Sequence, residues 1–297
     1  MSAAVGIGVV THELVHVFHT EGHDVAALSG ISLTIRPGEY VGLLGPSGAG
    51  KSTLLSACAA LLRPSAGRLL LDGTNIVTLD DTERDELRAS RIGMVLQGAD
   101  RNVVGYLSVA ENIRLAQRGA LAAGRSPAAL PDAAELADLV GLRAAPEVRA
   151  DTLDPAGLQL LALACGLAHR PRLLLADEPT SRLPAQARDV VLAALSEVNR
   201  RWGCTILLVT HDPAVAAAIP RTVTIRDGRI GAEGRRGEEY SVVTADGSVG
   251  LPADVLADHP PGTLLRVERS GRGFRLDPVR PGTPDAGGSD ASEQAIP

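Results

Sequence analysis

The chain has 297 residues, 45% of them hydrophobic, which is enough for a core and excludes wholesale disorder. Its 29 basic and 35 acidic side chains leave a net charge of −6, which argues against a dedicated nucleic-acid binder. Cys58, Cys165 and Cys204 are widely spaced, so reduced thiols in a cytosolic compartment are expected rather than a metal or disulfide framework, and no apolar run reaches the ~20 residues that span a bilayer.

In chain order, residues 9–18 alternate and predict a strand. Residues 30–35 predict a second, ending at the turn Arg36-Pro37-Gly38-Glu39. Residues 40–44 form a short apolar run that stops at Gly45, as a buried parallel strand does. A helix is expected over 51–62, closed by Pro64. A short strand from Leu69 leads to the turn Asp72-Gly73, then to a charged stretch over 80–91 and an apolar strand over 92–96. Residues 98–170 are rich in Ala and Leu and predict a helical subdomain. Two further buried strands are expected at 172–176 and 205–210, with a helix over 185–201 between them. Strands alternating with helices predict an α/β domain with a mostly parallel sheet over residues 1–235. An antiparallel β subdomain would accompany it. Beyond 235 the texture changes: short strands near 240–244 and 264–268, flanked by DG and PG turns, suggest a small β module over 236–278. Residues 279–297, rich in Pro, Gly, Ser and Asp, are expected to be disordered.

The sharpest local signal is Gly45-Pro46-Ser47-Gly48-Ala49-Gly50-Lys51-Ser52, followed by Thr53. It matches GxxxxGK[ST] between a strand and a helix, the context in which the glycines let backbone N–H groups wrap phosphate oxygens. Lys51 would reach the β- and γ-phosphates and Ser52 would ligate Mg²⁺. Lys51 is also the only lysine in the chain. Downstream, the apolar run Leu173-Leu174-Leu175-Ala176 ends in Asp177-Glu178. Asp177 at the strand end can hold Mg²⁺, and Glu178 can orient or deprotonate an attacking water.

Together, GPSGAGKST and LLLADEPTS resemble the nucleotide-binding subunit of an ABC transporter. The resemblance spans residues 9–235 and implies a P-loop NTPase fold, ATP and Mg²⁺ as ligands, and ATP hydrolysis. It further implies a separate integral-membrane permease, a second ATP-binding subunit, and a cytoplasmic location on the inner face of the membrane. By the same resemblance Gln97 is the glutamine that contacts Mg²⁺ and water, His211 contacts the γ-phosphate, and Phe18 stacks on adenine. The strand spacing is similar to that of subunits serving lipoprotein-releasing and macrolide-type exporters.

Two elements depart from the family pattern. The signature LSGGQ is replaced by Leu153-Asp154-Pro155-Ala156-Gly157. Asp stands where a Ser would meet the ATP of the opposite subunit, and Pro155 lacks a backbone N–H. Asp followed by Pro is nonetheless a good helix start, so the helix is expected to persist with its N-terminus filled by Asp154. After the acidic pair, Ser181-Arg182-Leu183-Pro184 puts Pro where the family has Asp. Both losses imply slow or asymmetric turnover, either in a homodimer or beside a partner with an intact signature. The rival reading is an ATP-binding regulatory partner with little hydrolysis of its own.

His12-Glu13-Leu14-Val15-His16 matches the zinc-protease pattern HExxH. On the strand expected there, the two histidines would lie ~13 Å apart at ~3.3 Å per residue, too far for one metal. Finally, residues 240–277 resemble a swapped-hairpin β module of the AbrB type, through DGSVGLPADVL and PGTLLRVE. The module is not strongly basic, so the resemblance points to dimerisation or regulation rather than DNA binding.

Overall fold

The computed structural model describes residues 6–278, apart from 21, 236–237, 244–246, 248, 252, 261 and 272. The region expected to be a disordered tail lies outside the described residues. The chain divides into two units, Met1–Val249 and Gly250–Pro297.

The first unit is organised by a sheet of parallel strands, most of them short and buried apolar runs. These are β3 (Tyr40–Leu44), β6 (Ile92–Val95), β7 (Leu173–Asp177), β8 (Thr205–Val209) and β9 (Arg221–Arg226). They pair in parallel in the order β9-β3-β8-β7-β6. Strands β10 (Arg229–Arg235) and β11 (Glu238–Ser241) extend that sheet antiparallel beyond β9. Because β11 joins this sheet, the first unit continues past residue 235, where the change in composition had placed a boundary. A second, four-stranded antiparallel sheet has the order β2-β1-β4-β5. It is built from β1 (Val9–Thr20), β2 (His23–Ile35), β4 (Ala66–Leu71) and the two-residue β5 (Thr74–Asn75).

Helices cover the parallel sheet on both faces, as parallel strands require. One core layer joins α1 (Lys51–Cys58) and the antiparallel sheet to the inward face of β3, through Leu54, Leu55, Leu43 and Leu69. The other lies under α5 (Pro155–Leu167) and α6 (Ala185–Trp202), through Leu161, Leu174, Leu195 and Ile206. Helices α3 (Val109–Ala122) and α4 (Ala133–Val140) pack on α5 through Ile113 and Leu136. A highly charged helix, α2 (Asp81–Arg91), precedes β6. The short α7 (Pro213–Ala217) follows β8. Helix α1 ends at Cys58, short of the expected residue 62, because the chain turns through Ala60 at φ 55°.

The segment His12–His16 lies in strand β1, interrupted by a bulge with Glu13 at φ 46°. His16 is buried edge-on against Phe18. The one-turn helical spacing that zinc chemistry needs is absent there. In the second unit, α8 (Ala253–Asp258) precedes a hairpin of β12 (Leu265–Ser270) and β13 (Gly273–Pro278).

Candidate functional site

Parallel pairing aligns the C-terminal ends of β3, β7 and β8, and the chemistry of the sequence collects there. Leu43 pairs with Val209, and Val209 with Asp177. The loop after β3 is shaped by two glycines that no other residue could replace without collision. Gly45 sits at φ 139°, where a Cβ would lie 2.1 Å from the carbonyl oxygen of Ile225. Gly50 sits at φ 98°, 2.2 Å from that of Ala27. Lys51 opens α1 and is only 7% exposed. Its Nζ donates to the carbonyls of Gly45 at 2.9 Å and Pro46 at 2.7 Å, so the ammonium is folded back into the loop that precedes it.

The next residue, Ser52, donates its hydroxyl to Asp177 Oδ1 at 3.3 Å. This contact joins the start of α1 to the end of β7. Burial holds the Asp177 carboxyl above its ordinary value; the neighbouring charge of Glu178 adds to this, while the Ser52 hydroxyl, Lys51 and Arg101 pull the other way. A hydroxyl and a carboxylate facing one another are hard oxygen donors of the kind Mg²⁺ takes. Glu178 has left the strand at φ 47°, and its Oε1 stands 2.7 Å from His211 Nδ1. An Nδ1–H there donates to the carboxylate and fixes both its direction and the imidazole tautomer.

Gln97 follows β6 and is exposed. It makes no contact with the Ser52–Asp177 pair; it lines a side cavity with Arg101, Gln159 and Arg182. The loop that carries it is clamped by Asn102, whose amide bonds the backbone of Leu96 at 2.8 Å and 2.9 Å and of Gly98 at 2.8 Å. Sequence reasoning missed that clamp because nothing in the spacing from Gln97 to Asn102 marks a local loop-closing amide. Phe18 lies near the end of β1, 42% exposed, paired across the sheet with Val25. It is an exposed ring, not a core residue.

Helix α5 starts at Pro155, and Asp154 caps it by accepting from the Gly157 N–H at 2.6 Å. The carboxylate therefore occupies the helix end where an external anion would otherwise bind. The loop after β7 turns tightly, with the Ser181 N–H donating to the Glu178 carbonyl at 3.1 Å and Arg182 at φ 65°.

Residues 28–181 match the family model for the ABC transporter. The lipoprotein-releasing system ATP-binding protein LolD of Anaeromyxobacter dehalogenans is 42% identical over 211 residues, covering 70% of this chain and 85% of the relative. The chain belongs to the ABC transporter family. The methionine import ATP-binding protein MetN of Mesorhizobium japonicum is 38% identical over 259 residues, 82% of this chain and 69% of the relative. Among solved structures, the dimeric ATP-binding cassette MJ0796 bound to ADP and Pi matches with a TM-score of 0.68 at 28% identity. That match covers 77% of this chain and 98% of the cassette. The fold is therefore the α/β P-loop cassette expected from the sequence. As a member of this family the chain is the ATP-binding subunit that couples ATP hydrolysis to transport through a membrane permease. Family membership does not favour the rival reading as a regulatory partner. Among the described residues no helix is long and apolar enough to cross a membrane.

Proposed function

We propose that this chain is the energising subunit of an exporter-type ABC transporter, held on the cytoplasmic face of the membrane by a separate permease. We further propose that it works fastest beside a second subunit whose signature is intact. The likeness to a lipoprotein-releasing ATPase supports the exporter type. Likeness to a methionine importer at 38% identity supports import as the second reading.

Residues 45–53 would cradle the phosphates of ATP, with Phe18 against the base. Lys51 would exchange its two carbonyl partners for phosphate oxygens. Ser52 and Asp177, joined by Gln97 as the family resemblance implies, would hold Mg²⁺, which neutralises phosphate charge when bound. Glu178 would orient the attacking water and accept its proton, in the direction that His211 fixes for its carboxylate.

The observation that carries the asymmetry is the 2.6 Å cap of α5 by Asp154. In a head-to-tail pair of such subunits this carboxylate would face the ATP of the other chain. Two like charges ~4 Å apart repel by about 4 kcal/mol at an effective dielectric of ~20. The missing Ser hydroxyl and the N–H that Pro155 lacks add to that loss. The test is to restore residues 153–157 to LSGGQ. The ATPase rate of the purified chain should rise, and the restored chain carrying Glu178→Gln should associate further on adding ATP. An unchanged rate and an oligomeric state indifferent to ATP would contradict the proposal.

The hairpin of the second unit supports a dimerising role for the AbrB-like segment. Cross-strand pairing puts Val267 opposite Leu276 and Arg269 opposite Phe274 on one face, and Arg266–Asp277 and Glu268–Arg275 on the other. Val267, Phe274 and Leu276 are exposed, and a lone two-stranded hairpin is marginal in water without something covering its apolar side.

A further inference from the structure

A cavity of about 410 Å³ lies between the loop after β6, the first turn of α5 and the loop after β7. Three features set it apart. Gln159 lines it, is 5% exposed, and its Nε2 has no acceptor. A buried donor without a partner is costly, and such a donor beside a cavity calls for an acceptor in it. Two arginines, Arg101 and Arg182, also line the cavity, against one acidic residue, Asp100. Arg182 sits at φ 65°, a conformation that non-glycine residues rarely adopt. Lastly, the walls include Gln97 and Ser181, whose amide bonds the Glu178 carbonyl at 3.1 Å, so the cavity adjoins the loop that carries Glu178.

We infer that this cavity is a binding site for the inorganic phosphate released by hydrolysis, accepting hydrogen bonds from Gln159 Nε2 and the guanidinium groups of Arg101 and Arg182 on its way out. The inference rests on the ATPase reading, because phosphate is that reaction's product. Phosphate oxygens supply the acceptors that Gln159 lacks, and guanidinium groups pair with them through parallel N–H bonds. The phosphate is generated beside Glu178, one tight turn from Arg182.

The experiment is equilibrium dialysis of radiolabelled inorganic phosphate against the full chain saturated with Mg-ADP. The comparison is with Arg182→Ala and with Gln159→Leu, the second a change of similar volume that removes the amide and with it the orphan donor. Phosphate should bind saturably to the unmodified chain, at least ten-fold more weakly to Arg182→Ala and several-fold more weakly to Gln159→Leu. Mg-ATP affinity and single-turnover cleavage should stay within two-fold in both variants. Equal phosphate affinity in all three proteins would overturn the inference. So would a matching loss of Mg-ATP affinity, which would place Arg182 in the nucleotide site instead. Failure of the ATPase reading would register separately, as an unmodified chain that neither binds nor cleaves Mg-ATP.

Discussion

At the scale of single residues, the proposed site gives one cation and one carboxylate different tasks. Lys51 is enclosed, with its ammonium satisfied by two carbonyls of the preceding loop, so it is preorganised for phosphate oxygens at the same place. Removing it should weaken Mg-ATP binding by an order of magnitude or more. Glu178 stands on the far side of Asp177, held by His211. Glu178→Gln should leave binding near the unmodified value and stop cleavage. Isothermal titration of Mg-ATP with each variant, beside single-turnover cleavage, checks both. Equal affinity for ATP in Lys51→Ala and the unmodified chain would remove the phosphate loop from the mechanism. These residues were readable in the sequence because the P-loop spacing and the acidic pair are local patterns. Gln159 was not, since a buried amide without a partner is a property of packing between α5 and two distant loops.

At the scale of elements, His169 ties the end of α5 to the sheet. It is 8% exposed, and its Nε2 lies 3.0 Å from the Ile92 carbonyl. Burial pushes its imidazole down to about 4 from an ordinary 6.5; the hydrogen bond to Ile92 opposes this, and Arg125 adds to the lowering. The unfolded chain therefore binds a proton in the window between about 6.5 and 4 that the folded chain refuses. Stability falls as pH drops through that window, by up to roughly 3 kcal/mol from this group. Denaturant titrations at pH 7 and pH 4.5 should show the fall, and His169→Gln should flatten most of it. A pH dependence unchanged in His169→Gln would contradict the assignment.

The elements themselves divide by how local their cause is. The buried strands β3, β7 and β8 were legible as apolar runs. Helix α2 read only as a charged stretch because it has no buried residue; its signal was the capping box, in which Asp80 accepts from the Glu83 N–H and the Glu83 side chain from the Asp80 N–H. The strand β2 begins at His23, well before residue 30, because pairing with β1 carries a largely exposed segment that alternation alone would leave as a loop. The bulge at Glu13 was equally invisible, since Gly67 on the neighbouring strand permits it: a Cβ there would lie 2.4 Å from the Glu13 carbonyl oxygen.

At the scale of the whole molecule, the proposed function gives copies two separate routes to association. If the second unit's apolar hairpin face is covered by its counterpart on another chain, removing residues 250–297 should convert the dimer seen by sedimentation without ATP to a monomer. An oligomeric state unchanged by the truncation would take the hairpin out of the assembly. The nucleotide-driven pairing is separate, and there Asp154 and Pro155 are proposed to slow the rate. The most direct measurement mixes the unmodified chain with a copy carrying LSGGQ at 153–157 and Lys51→Ala, so that the only competent site combines this chain's Lys51, Asp177 and Glu178 with an intact signature. The ATPase rate of the mixture should rise well above that of either protein alone. Brisk, cooperative hydrolysis by the unmodified chain alone, with no rise on mixing, would contradict the account.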